Sequence, residues 1–470
     1  MQKARKVTEI ANDGCEISIE NSWKSHFLAT LALGIPLIGA QLAQLGINIT
    51  DVFIMGRLGT PELAAMVLAS QYFFTLFIFG SGFSTAVVPL AAQAFAQGDQ
   101  IMVRRAVRMG LWVVIGFATL TAPAIWYAED VLLFAGQDPH LARLAGHYLH
   151  IAGWSMIPGL GFMVLRSFLS AVGHAGVILY VTLTILIFNA VFAYGLVLGH
   201  FGLPALGMFG ASIVALAANV LGLLLTIVYI QRVEALRAYE LFVRFWRVDM
   251  HVLWEVFRLG LPISLAILAE VSLFTVASLL MGWIGTVELA AHGIALQWAS
   301  LAFMIPLGLA QAATVRVGIA VGAQDHQALV RASIVIVVIS MSCSVIGGLI
   351  FAFYPLQLAS LYLDQSKPDA AAVLAYAGSL VVIAGIFQLV DGLQAIAAGL
   401  LRGIRDTAVP MVLALIAYWP VGFLLAYVLA FHFGYGGVGV WIGFLCGLLT
   451  ASVLLLGRYA ILVSRMQKAA

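Results

Sequence analysis

Residues 33–65 read LGIPLIGAQLAQLGINITDVFIMGRLGTPELAA, and residues 259–291 read LGLPISLAILAEVSLFTVASLLMGWIGTVELAA. Laid over each other at an offset of 226 residues, they match Gly34 and Pro36 with Gly260 and Pro262. The match continues through Gly56, Gly59, Thr60, Glu62, Leu63, Ala64 and Ala65 on Gly282, Gly285, Thr286, Glu288, Leu289, Ala290 and Ala291. The register holds without a gap from Leu33 on Leu259 to Ala106 on Ala332, and 23 of these 74 pairs are identical. Coincidence between apolar segments does not keep glycine, proline and glutamate in step, so the chain contains an internal duplication.

The solvent for both copies follows from composition. Hydrophobic residues make up 63% of the 470 and charged residues 9%, against about 25% charged in an ordinary soluble domain. A hydrocarbon core about 30 Å thick takes about 20 apolar residues per helical span, and such runs recur about a dozen times. Spans are predicted near 26–56, 62–96, 107–127, 144–171, 177–199, 207–231, 252–283, 288–321, 330–353, 372–401, 408–431 and 438–463. The expected organisation is an N-terminal segment 1–25, a first six-helix lobe 26–231, a charged linker 232–251, a second six-helix lobe 252–463 and a tail 464–470. The fold class is all-α integral membrane protein. The polar N-terminal segment has no short apolar core with a cleavage site, so the first helix is expected to direct insertion. Cys15, Cys343 and Cys446 have no metal-binding spacing.

Of the 23 Lys and Arg, only Arg57, Arg143 and Lys367 fall on the side away from the termini when these spans are threaded through a bilayer. By the positive-inside rule both termini are cytoplasmic, in the inner (plasma) membrane of the cell. The seventh span begins on the same side as the first, so the copies are parallel repeats related by an axis along the membrane normal. Such halves, joined by the linker, suit rocking about a central cavity.

Three acids, Asp51, Glu270 and Asp391, are embedded in apolar sequence. A carboxylate at a span centre costs about 2.5–3.5 kcal/mol on insertion scales, which normally marks an ion or proton site facing protein. Glu270 lies 12 residues from Arg258 and Asp391 lies 11 from Arg402, which places both roughly 16–18 Å from the cytoplasmic surface. Asp51 lies five residues before Gly56, nearer the opposite face. Gln44 precedes it by seven residues on the same helix face and is the repeat partner of Glu270. Each acid also has a purely structural reading, as a protonated group hydrogen-bonded between helices. Arg402 and Arg405 with Asp406 are expected to anchor the cytoplasmic end of the tenth helix. Pro36 and Pro262 are expected to kink their helices.

The stretch from Pro36 to Thr60 around Asp51, the segment Leu-Ala-Glu-Val-Ser-Leu-Phe around Glu270, and Val390 to Gly403 around Asp391 resemble the NorM-type branch of the multidrug and toxic compound extrusion (MATE) family. The resemblance covers essentially the whole chain. It implies two lobes around a cavity, an N-lobe cation or proton site at Asp51 supported by Asn189, and a C-lobe cation site at Glu270 and Asp391, where Na⁺ is a candidate. Thr50 is a further candidate oxygen. Ala193 stands where many relatives carry a second asparagine, and Phe387 where some sodium-coupled relatives carry a tyrosine. Both departures thin a sodium shell and leave the proton alternative intact.

The expected activity is export of organic cations or other drugs in exchange for H⁺ or Na⁺, by a monomer in the lipid bilayer with no cofactor. The net charge of +2 gives no argument for nucleic acid, and no phosphate-binding lysine loop for ATP occurs. A flippase for a lipid-linked precursor would call for cationic residues inside the cavity, whereas the embedded charges read as acids. A membrane-embedded enzyme could use Glu270 and Asp391 as an acid pair, but no nucleophile elbow or metal-binding HExxH accompanies them.

Overall fold

A computed structural model of the chain describes residues 22–363 and 369–469. The expectations placed on Cys15, on Lys367 and on most of the N-terminal segment lie outside the described residues. Among the described residues twelve helices are long and apolar enough to span a bilayer. They are α1 (Trp23–Met55), α2 (Thr60–Ala96), α3 (Gln100–Trp126), α4 (Pro139–Ala171), α5 (Ala175–Leu198), α6 (Gly207–Arg232), α7 (Met250–Ile284), α8 (Thr286–Gly322), α9 (His326–Phe353), α10 (Ala370–Gly403), α11 (Ala408–His432) and α12 (Gly436–Lys468). No strand occurs among the described residues. A helix satisfies its own N–H and C=O groups within one segment, which hydrocarbon demands. Every expected span has its helix, and the largest shift of an end is at α3, which starts at Gln100 rather than 107. The first turns of that helix carry Arg104 and Arg105, which a purely apolar criterion trims away.

The duplication is visible in the helix ends. Asp99 caps α3 by accepting from the Met102 amide at 2.9 Å, and its repeat partner Asp325 caps α9 by accepting from Ala328 at 2.9 Å. Each cap follows a left-handed residue, Gly98 at φ 72° and Gln324 at φ 56°. The second copy therefore holds the same turn with a side chain that glycine in the first copy spares.

The chain divides into two compact units at points inside helices, not at the linker. One unit is 39–264. The other is 265–470 together with α1 up to Ile38. The expected lobes, 26–231 and 252–463, thus exchange the leading halves of α1 and α7, and each exchanged half ends two residues beyond Pro36 or Pro262. Within the first unit, a Cβ on Gly82 of α2 would meet the Ser264 backbone nitrogen at 2.5 Å, and the Ser264 hydroxyl donates to the Phe79 carbonyl at 2.6 Å. Within the second unit, a Cβ on the repeat partner Gly308 would meet the Ile38 nitrogen at 2.7 Å. Glycines at both places let backbones approach in a medium that supplies no hydrophobic drive between helices. That explains why this pair survives the divergence of the copies.

The linker is not a free tether. Its backbone is gathered by α3, where Arg108 donates from Nε to the Leu241 carbonyl at 2.9 Å and from Nη2 to Glu240 at 3.2 Å. Trp112 donates to the Phe245 carbonyl at 2.9 Å, Arg104 pairs with Glu240 at 2.6 Å, and Arg105 pairs with Asp249 at 3.4 Å. Tyr239 lies edge-on to Phe168, and burial pushes its phenol up to about 12, so it stays neutral at physiological pH. The linker therefore belongs to the first unit as a docked strap.

Candidate functional site

The first unit builds its site from α1, α4 and α5. Asn189 is the one amide in an otherwise apolar stretch of α5 and is only 2% exposed. Its Nδ2 donates to Asp51 Oδ1 at 2.7 Å, so the amide is spent on orienting the carboxylate. Tyr148 of α4, buried, lies within electrostatic reach of Asp51. Thr50 donates its hydroxyl to the Gly46 carbonyl at 2.8 Å one turn back, which leaves its oxygen able to accept only. Gln44 is exposed and makes no part of this cluster. One turn nearer the start of α1, Gln41 Oε1 accepts from the buried Arg166 guanidinium at 2.8 Å.

The second unit builds its site from α7, α10 and α11. Asp391 is 5% exposed, and its Oδ1 has no hydrogen-bond partner among the described residues. Glu270 and Asp391 lie within electrostatic reach of each other, as the shared depth from sequence requires. Gln394, one turn beyond Asp391, faces the Glu270 carboxyl and donates from Nε2 to the Tyr418 hydroxyl at 2.6 Å. Its Oε1 is buried without a partner among the described residues.

Tyr418 is fully buried and sits in a π-helical stretch, Ala417–Phe423, that contains Pro420. Proline has no N–H for the α ladder, and the wider turn absorbs the break. Neither Tyr418 nor Gln394 stands out in the sequence. The only signal is Pro420 inside a span, two residues from a tyrosine.

Two expectations are corrected here. Of the three residues expected to anchor the cytoplasmic end of α10, Asp406 pairs with Arg458 of α12 at 2.6 Å. Arg402 instead lies within electrostatic reach of Glu270 and Tyr418, and Arg166 is buried in the first unit. The embedded charges are therefore not acids alone. The second unit carries two carboxyls against one guanidinium, a balance that still favours binding a cation. Phe387 does not reach the acids with a polar atom. It is 2% exposed and packs edge-on against Phe274 and Trp441. Among the described residues no cluster of three or more His, Cys, Asp or Glu could hold a metal ion.

The fold and these two sites define a polytopic membrane carrier with a duplicated six-helix plan. The sequence profile of the MatE family matches residues 36–195 and 262–428, one copy in each repeat, and the chain belongs to that family. It is 61% identical over 450 residues to a protein of Rhizobium meliloti (strain 1021) named "Probable multidrug resistance protein NorM", covering 96% of each chain. An Agrobacterium fabrum protein of the same name is 60% identical over 449 residues, covering 96% of this chain and 97% of its own. Among solved structures, the eukaryotic MATE transporter AtDTX14 superposes with a TM-score of 0.82 at 22% identity, over 95% of this chain and 98% of its own. A multidrug resistance MATE family transporter in an outward-facing conformation gives 0.84 at 19%, over 94% and 96%. The protein is thus a transporter and not an enzyme.

Proposed function

We propose that the chain exports organic cations and related drugs in exchange for protons, with Asp51 and the Glu270–Asp391 pair as the coupling groups. The observation that carries this reading is the unpartnered, buried Asp391 oxygen beside Glu270. A carboxyl binds a proton with its own oxygen, and the same group, once ionised, holds a cationic drug. Proton and drug then compete for one charge, which couples their movements. The names of the relatives, which refer to multidrug resistance, agree with this cargo. For a neutral drug at one-to-one coupling, one charge moving inward through about 150 mV supplies roughly 3.5 kcal/mol, enough for a gradient of a few hundredfold. Exchange for a monovalent cation is electroneutral and draws on the pH gradient alone.

Sodium is the second reading, because Gln394 Oε1 and the Tyr418 hydroxyl supply oxygens beside the carboxyls that stand in for a tyrosine at position 387. Ethidium efflux from proteoliposomes under an imposed proton gradient, a sodium gradient, or neither separates them. Efflux driven by the proton gradient and abolished by a protonophore is the expected result. Efflux that requires sodium and ignores the protonophore overturns it.

Orientation is a separate part of the proposal, with both termini cytoplasmic by the distribution of the basic residues. A reporter fused after Arg237 is expected to read cytoplasmic, and fusions after Leu203 and Lys367 to read from the opposite side. The reverse pattern at any of them rejects the orientation.

A further inference from the structure

Outward of the acid pair the second unit holds a buried histidine that neither the fold nor the proposed coupling site uses. On α7, Phe274 lies one turn beyond Glu270 and Ser278 two turns beyond it, about 6 and 12 Å along the axis. On α10, which runs the other way, Phe387 lies one turn outward of Asp391. Phe274 and Phe387 meet edge-on with ring centroids 6.0 Å apart. They form an aromatic layer directly above the carboxyls.

On the far side of that layer lies His292 of α8, 3% exposed. Its Nε2 is 3.2 Å from the Ser278 hydroxyl, and that hydroxyl also reaches the Phe274 carbonyl at 3.2 Å. If the hydroxyl donates to the carbonyl, it accepts from Nε2–H, and Nδ1 is left with a bare lone pair. Nδ1 has no hydrogen-bond partner among the described residues, nor has the indole nitrogen of Trp441, whose ring is edge-on to His292 at 5.7 Å. Trp441 in turn meets Phe387 at 5.2 Å, which closes the chain back to Asp391. His292 and Ser278 each lie six residues from the facing ends of α8 and α7, Thr286 and Ile284. That is about 9 Å from the membrane face opposite the termini.

The repeat shows that packing alone does not ask for this histidine. Its partner in the first copy is Met66, 6% exposed, which fills the equivalent place with no nitrogen. Likewise Ser278 is matched by Val52 and Glu270 by Gln44. Hydroxyl, imidazole and carboxyl occur together only in the second copy.

We propose that His292, held by Ser278, is a proton-carrying station between the membrane face opposite the termini and the Glu270–Asp391 pair. Protons reach the carboxyls by way of Nδ1, and water carries them past the Phe274–Phe387 layer, because the rings themselves neither accept nor donate a proton. No charged side chain among the described residues acts on the imidazole. The titratable groups at the levels around it are Glu288, one turn away on α8 itself, Glu270 on α7, and Asp391 and Tyr376 on α10, with Arg402 further along α10 beyond the acids. The Tyr376 hydroxyl is occupied by the Gly437 amide at 2.9 Å. Moving a proton from Nδ1 to a carboxylate oxygen neutralises both groups, so the station resets without a second ion.

This proposal rests on proton coupling, so the test compares two modes of one protein. Proteoliposomes carrying the full chain or His292→Gln are assayed for proton-driven ethidium efflux and for ethidium–ethidium exchange without a gradient, which turns over no protons. Glutamine keeps a partner for Ser278 but has no group that takes up and releases a proton. Proton-driven efflux is expected to fall at least tenfold while exchange stays within twofold of the parent. Unchanged efflux overturns the proposal, as does a parallel loss of both modes, which marks a structural role. If the glutamine variant fails to reach the membrane, His292→Met, which installs the side chain that Met66 supplies in the first copy, is read by the same criteria. A parent driven by sodium alone removes the proton and overturns this inference together with the coupling reading. A proton-driven parent with an indifferent variant overturns this inference alone.

Discussion

Proteoliposomes carrying Glu270→Ala or Asp391→Ala are expected to show no gradient-driven ethidium efflux above protein-free vesicles, a loss of at least 100-fold, while each variant inserts and elutes as the parent does. The two carboxyls share one site, so losing either removes half of a charge balance that Arg402 already offsets. Truncation would leave the guanidinium facing a single acid, and the site would no longer attract a cation. The amide variants Glu270→Gln and Asp391→Asn sharpen the test. They keep volume and hydrogen bonding but carry neither a negative charge nor an exchangeable acid proton. If these residues only join helices, the amides export at near parental rates, because a neutral hydrogen bond serves that purpose. If they couple transport, the amides fail like the alanines. Full export by both alanine variants would sink the assignment.

How far the sequence reached depends on what kind of interaction carried each feature. The helices were legible because hydrocarbon leaves the chain one choice, and their number was over-determined by the repeat and the basic residues. The acids were legible because a carboxylate is costly in apolar sequence. The partition was not. The exchange of α1 and α7 rests on Gly82 against Ser264 and Gly308 against Ile38, and a glycine in a membrane helix does not say which helix approaches it. Tyr418 and Gln394 were hidden for a related reason. An amide or phenol in a span is cheap enough to be common, so neither stands out until Glu270 is seen beside it. Arg402 was misread because basic residues at helix ends usually face the lipid headgroups, and only the fold shows that this one turns toward Glu270.

Asp51→Asn is expected to reduce proton-driven efflux by at least 100-fold, and Asn189→Ala by about tenfold, with the double variant no worse than Asp51→Asn alone. The hydrogen bond from Asn189 Nδ2 to Asp51 Oδ1 at 2.7 Å is the only contact on which this rests. A hydrogen bond to a charged group is worth about 1.5–3 kcal/mol, which corresponds to roughly a ten- to hundredfold change. Asn189 acts through the carboxylate, holding it in one rotamer beside Tyr148. Once the carboxylate is gone there is nothing left for it to position, so its removal costs no more. Energies of residues that act as one unit fail to add in this way. The measurement is initial efflux rate for the parent, both single variants and the double, normalised to reconstituted protein. If the two losses multiply, Asn189 has a separate role and the N-terminal site is not the pair drawn here. If Asp51→Asn retains parental efflux under a proton gradient, the first unit contributes no coupling group, and the carboxyls of the second unit act alone.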